Sequence, residues 1–66
     1  MKPASFGKNL KEVMDALGMS QTELAEKSKL TQAAISQIIG GHREPSLSSI
    51  VAILGVIPVK FERLLK

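Results

Sequence analysis

Sixty-six residues with a formal net charge of +3 and no cysteine make one domain, near the small end of what folds unaided. The lack of cysteine excludes a disulfide framework and a thiolate metal site, and the longest apolar stretch, Ile50 to Val59, is too short to span a membrane and is broken by Gly55 and Pro58. The mild basic balance, with a pI of about 9.6, suits a polyanionic partner without requiring one.

Hydrophobic residues are 44% of the chain and aromatics only 3%, Phe6 and Phe61, so the core is aliphatic. Apolar burial and chain entropy nearly cancel in so small a domain, and dimerisation is one natural way to bury more surface. The start, Met-Lys-Pro-Ala-Ser-Phe-Gly-Lys, lacks the apolar run of a signal peptide, which points to the cytoplasm.

The pattern predicts five helices and no strand, repeat or linker. The first runs from Ser5 to Leu17, with Phe6, Leu10, Val13, Met14 and Leu17 at helical spacing and Gly18 as its stop. The second starts after Ser20, where Ser20 and Glu23 fit a capping box, and ends near Lys27. A turn at Ser28-Lys29-Leu30 leads to Thr31, the cap of a third helix that stops at Gly40-Gly41. The loop His42-Arg43-Glu44-Pro45 brings the chain to Ser46, cap of a fourth helix that carries Leu47, Ile50, Val51 and Leu54 inward and ends at Gly55. Pro58 suits the first turn of a fifth, which holds Phe61, Leu64 and Leu65.

The segment from Ser20 to Ile39 carries the functional signal. Leu24, Ala25, Leu30, Ile35 and Ile38 are its apolar positions, which leaves Gln32, Ala33, Ser36 and Gln37 facing outward. A surface helix normally carries Lys and Glu there. Amides can pair with adenine in the major groove, and small side chains let the helix sink in. The expectation is a helix-turn-helix that reads duplex DNA.

In its order and spacing of residues the chain resembles the phage-repressor/Cro helix-turn-helix family, also called XRE-like. The resemblance runs from Phe6 to Leu65, through Leu10, Gly18-Met-Ser-Gln-Thr-Glu-Leu-Ala25, Thr31-Gln32, Ile35-Ser36, Gly41, Pro45-Ser-Leu47 and Leu54-Gly-Val56. It implies an all-α, compact five-helix, lambda-repressor-like domain spanning residues 1–66, with its motif at about 20–39. It further implies a transcriptional regulator that binds double-stranded DNA, with Ala25 where the two motif helices cross. Base contacts would fall to Gln32, Ala33, Ser36 and Gln37, and phosphate contacts to Gln21, Thr31, Gly41, His42 and Arg43.

Four positions depart from the family pattern. Lys29 stands where the motif's turn usually has glycine. Met14 and Ile39 replace an ion pair between the first and third helices. Gly40 replaces a longer polar residue that often contacts phosphate. Leu47 to Gly55 is nearly a turn shorter than the usual fourth helix.

Each site residue also has an ordinary reading. Gln32 and Gln37 are otherwise two solvated amides, Ala33 a helix former, Ser36 a hydroxyl bonded to its own helix backbone, and His42 and Arg43 solvated loop residues. Lys2, Lys8 and Lys11 near the N-terminus are better read as solvated than as phosphate contacts. Lys27 and Lys29 belong to the polar side of the second helix and its turn, and Lys60, Arg63 and Lys66 keep the last helix soluble. The lone His42 is not part of a metal pattern. No nucleophile elbow, paired carboxylate or phosphate loop points to catalysis, and no cofactor or small-molecule ligand is implied.

Val56, Ile57, Phe61, Leu64 and Leu65, with Val59, are more apolar surface than one short helix needs to close a small core. Family members commonly pair through this region, which would give a homodimer reading a near-palindromic site with half-sites about 34 Å apart. With no separate effector or oligomerisation domain, such a dimer must come from these residues, and occlusion makes repression the natural mode. The rival expectation is a protein-binding module on the same fold, an antitoxin-like partner whose apolar tail is the active surface.

Overall fold

The computed structural model describes residues 3–65, with side chains from Ser5 onward; Lys2 and Lys66 lie outside the described residues. The helices are α1 (Pro3–Leu17), α2 (Gln21–Ser28), α3 (Gln32–Ile39), α4 (Leu47–Leu54) and α5 (Phe61–Leu65), and no strand occurs among the described residues. None of these helices is long and apolar enough to cross a membrane. α1 packs against α3 and α5, while α2 packs against α3 and α4.

The core is aliphatic apart from Phe6, as the composition requires. Phe6, Leu10, Val13 and Met14 of α1 meet Leu24, Ala25, Ile35, Ile38, Ile50, Ile53, Ile57 and Leu64. Met14 is buried and Ile39 packs against the same cluster, so apolar packing occupies the place of the family's ion pair.

Short polar side chains start three of the helices. Ser20, Thr31 and Ser46 hold extended backbone, and their hydroxyl oxygens accept from the N–H groups of Glu23 (3.0 Å), Ala34 (3.0 Å) and Ser49 (3.2 Å). Only half of the expected capping box forms. The Glu23 carboxylate turns along the helix to Lys27 Nζ at 3.0 Å, where the i, i+4 spacing offers it a cation.

Three helices end on a left-handed residue with paired bonds back into the last turn. At the end of α1, Gly18 has φ 68 and Met19 N–H donates to Met14 O (2.9 Å). At the end of α2, Lys29 has φ 62 and Leu30 N–H donates to Ala25 O (3.1 Å). At the end of α3, Gly41 has φ 76 and His42 N–H donates to Gln37 O (3.0 Å).

Lys29 therefore keeps the turn that glycine normally makes, with a side chain in the left-handed region. That conformation costs roughly 1–2 kcal/mol, whereas glycine's extra freedom in the unfolded chain costs about 0.4–1. Lys29→Gly is expected to raise stability by about 0.5–1 kcal/mol, as read from urea unfolding. An unchanged or lower midpoint would contradict a strained turn.

Several expectations need correction. Leu17, placed with the inward residues of the first helix, is 45% exposed. In α4, Ile50 and Ile53 face inward, whereas Leu47 (77% exposed) and Val51 (63%) face outward. Six of the eight residues of α4 are apolar, so periodicity could not select the face, and α2 covers only one side of it. Pro58 lies in the bend before α5, which begins three residues later at Phe61. The chain first closes a turn there, with Val56 and Ile57 N–H both donating to Ile53 O.

Two buried contacts set the angle of α1 and were not foreseen. Gly7 lies against the C-terminal backbone of α3, where a Cβ would come within 2.6 Å of Ile39 O. Asn9 is buried, and its Nδ2 donates to Leu64 O at 2.9 Å, which ties α1 to α5 across most of the sequence.

Candidate nucleic-acid interface

The motif is built by burying one side of two short helices. Leu24 and Ala25 of α2 and Ile35 and Ile38 of α3 point into the core, and Ser28 is buried by turning its hydroxyl onto Leu24 O (2.7 Å). Ala25 is only 5% exposed, as expected of a residue at a crowded helix contact. With that side covered, Gln32, Ala33, Ser36 and Gln37 are left exposed on α3. These four are the residues singled out from sequence, and they occupy one continuous face. At 100° per residue they span an arc of about 140°.

Groups suited to phosphate surround this face in the chain. Gln21, half-buried, is the first residue of α2, where the opening turn presents unpaired N–H groups and the positive end of the helix dipole. Thr31 is exposed, and one lone pair of its hydroxyl is taken by the Ala34 N–H. After α3 the left-handed turn at Gly41 sends the chain into the exposed pair His42 and Arg43.

Gly40 and Gly41 have separate reasons to be glycine. Gly41 needs its positive φ. Gly40 has an ordinary helical conformation (φ −74), but a Cβ there would lie 2.8 Å from His42 Cδ2 and 3.3 Å from Ser36 O. The missing side chain leaves room for the His42 ring against the end of α3. A Gly-Gly pair with only one turn to make was the available signal for this.

Several cations are engaged elsewhere. Lys11 pairs with Asp15 (2.6 Å), Lys27 with Glu23 (3.0 Å) and Arg63 with Glu12 (3.7 Å), all at the surface. Such exposed pairs contribute little to stability. The interface is a surface, with no cavity among the described residues.

A family model described as Helix-turn-helix matches residues 10–64. The chain belongs to the phage-repressor/Cro (XRE-like) helix-turn-helix family. It also superposes on the crystal structure of the restriction-modification controller protein C.AhdI from Aeromonas hydrophila, with a TM-score of 0.88 and 29% identity over 94% of each chain. No curated protein sequence matches it at a comparable level. As an XRE-like protein it is a DNA-binding transcriptional regulator, in a family that is typically not catalytic.

Within the XRE-like frame, the five apolar tail residues divide into two groups. Ile57 (2% exposed) and Leu64 (0%) belong to the core of this chain and are not free to contact another. Phe61 (38%) and Leu65 (41%) are exposed, and Val56 is half-buried. Leu47 and Val51 of α4 are exposed apolar residues as well.

Proposed function

We propose that this chain is a repressor that binds a near-palindromic operator as a homodimer in the cytoplasm, with α3 in the major groove. The observation that carries this reading is the exposed, uncharged outer face of α3. Gln32, Ala33, Ser36 and Gln37 supply the base contacts, and Gln21, Thr31, Gly41, His42 and Arg43 hold the phosphates that fix register. The likeness to a restriction-modification controller supports a role in controlling transcription. Occupancy of an operator is enough to block polymerase sterically.

The dimer uses Phe61 and Leu65, with Val56 as further apolar surface; Ile57 and Leu64 support it from within. The domain is 25 Å in its longest dimension, short of the roughly 34 Å between half-sites, so one copy reads one half. Selection of tight binders from a random duplex pool at near-physiological salt tests the whole reading. A two-fold symmetric motif with half-sites one turn apart is the expected result. Failure to enrich any motif would contradict it.

Arg43 carries a second expectation. If it neutralises one phosphate, Arg43→Ala lowers the slope of log affinity against log salt by about one unit, similarly for all sequences. The same titration addresses the rival reading, a protein-docking module, which the exposed Leu47 and Val51 favour. A docking module would show no such salt dependence.

A further inference from the structure

His42 is the only histidine of the chain, and the backbone around it gives its ring a defined seat. Its N–H donates to Gln37 O at 3.0 Å, which closes the left-handed turn at Gly41 and holds the residue at the end of α3. Gly40 lies against the ring in ordinary helical conformation (φ −74), and a Cβ there would meet it at Cδ2 (2.8 Å) and Nε2 (3.3 Å). The residue as a whole remains exposed. Few charges surround this seat. Neither α3 nor α4 carries any. The loop supplies Arg43 and Glu44, both exposed, and no carboxylate forms an ion pair with the imidazole among the described residues. α1 meets the end of α3 at Gly7; Lys8 follows in the chain, and Lys11 is paired with Asp15 at 2.6 Å. An anion that engages the ring therefore comes from outside the chain.

We infer that His42, seated on Gly40, couples DNA binding to the uptake of a proton, so that affinity rises as pH falls. The inference rests on the reading of the loop from Gly41 to Arg43 as a phosphate contact and names what regulates that contact. Histidine is the side chain whose charge ordinarily changes between about pH 5 and 8. A phosphate placed beside it favours the charged form, in which both ring nitrogens donate. Proton uptake on binding has one sign: affinity is greatest at the acid end of that window and declines as pH rises through it. One more neutralised phosphate steepens the salt dependence by about one unit, which at about 0.1 M salt corresponds to roughly 5- to 10-fold in affinity. Gly40 is a positioning residue in this arrangement. Its missing side chain decides where the ring, and with it the charge, can stand.

The test measures affinity for the duplex enriched from a random pool, from about pH 5.5 to about pH 8 and at two salt concentrations. It compares the wild type with His42→Gln, Gly40→Ala and the double variant. Both positions are exposed, and alanine adopts the backbone angle of Gly40 without strain, so the variants keep the fold. Wild-type affinity should fall roughly 5- to 10-fold from the acid to the alkaline end, with a salt slope about one unit steeper in acid. His42→Gln should be level across the window. Gly40→Ala should lose affinity only at the acid end and add nothing in the His42→Gln background, whereas a merely structural role would weaken binding at every pH and in both backgrounds. Level wild-type affinity on a tightly bound duplex would overturn the inference and leave the DNA-reading role standing. The same pH response in His42→Gln would overturn it too, and losses from Gly40→Ala at every pH would overturn the part assigned to Gly40. Enrichment of no motif at all would overturn both the inference and the DNA-reading role beneath it.

Discussion

Replacing Gly7 by alanine is expected to destabilise the domain by about 3 kcal/mol or more. An alanine methyl there would sit 2.6 Å from Ile39 O and 2.9 Å from Ile39 C, and it would press on the carbonyl oxygen of Ile38 as well. All three are backbone atoms at the end of α3, so no side chain can rotate away. Relief requires α1 to lift off α3, which opens the contact between Phe6, Leu10 and the α3 core residues. A chain of this length has about 3–10 kcal/mol of total stability, so the loss is a large share of it. The thermal midpoint should fall by roughly 12–24 °C. A fall of only a few degrees would show that the two helices have slack between them. Because the end of α3 leads directly into Gly41, His42 and Arg43, DNA affinity should fall as well.

Asn9→Ala should cost about 2 kcal/mol. The Asn9 amide is buried and donates to Leu64 O at 2.9 Å, near the end of a helix only five residues long. Removing it leaves a buried carbonyl without a partner and frees α5 from α1, where the surface pair between Arg63 and Glu12 (3.7 Å) adds little. The loss should be uneven. Hydrogen exchange should accelerate in α5 more than in α2 or α3, and the self-association proposed for Phe61 and Leu65 should weaken in parallel. Equal protection of α5 in both proteins would contradict this role for Asn9.

The fold was legible wherever the chain is punctuated by residues with one strong local purpose. Ser20, Thr31 and Ser46 marked helix starts, and Gly18 and Gly41 marked ends, because hydroxyl caps and left-handed turns are local and need no knowledge of the rest. The face of α3 was legible for a related reason. Ile35 and Ile38 are its most apolar inward positions, and the residues left over define the outside. Sequence reasoning failed where the answer depends on a neighbour distant in the chain. Gly7 looks ordinary until α3 lies against it, and Asn9 looks solvated until Leu64 closes over it. The orientation of α4 was hidden because apolar residues surround that helix, so only packing against α2 selects Ile50 and Ile53 over Leu47 and Val51. In the tail, apolar character alone could not separate Ile57 and Leu64, which fill the core, from Phe61 and Leu65, which remain outside.

These elements converge on how α3 is presented. Its position depends on Gly7 against its end, on Ala25 beneath it, and on the strained but intact turn at Lys29 before it. Each is a packing or backbone constraint, and together they leave a helix whose outward residues, Gln32, Ala33, Ser36 and Gln37, are small or amide-bearing and uncharged. The claim that this face reads bases is tested most directly by alanine substitution at Gln32 and Gln37. Affinity should be measured at fixed salt for the duplex enriched from the random pool and for a scrambled duplex of the same composition. The account predicts that each substitution weakens binding to the enriched duplex by roughly 1–3 kcal/mol and leaves binding to the scrambled one nearly unchanged. Equal losses on both duplexes would contradict base reading and reduce the face to backbone contact.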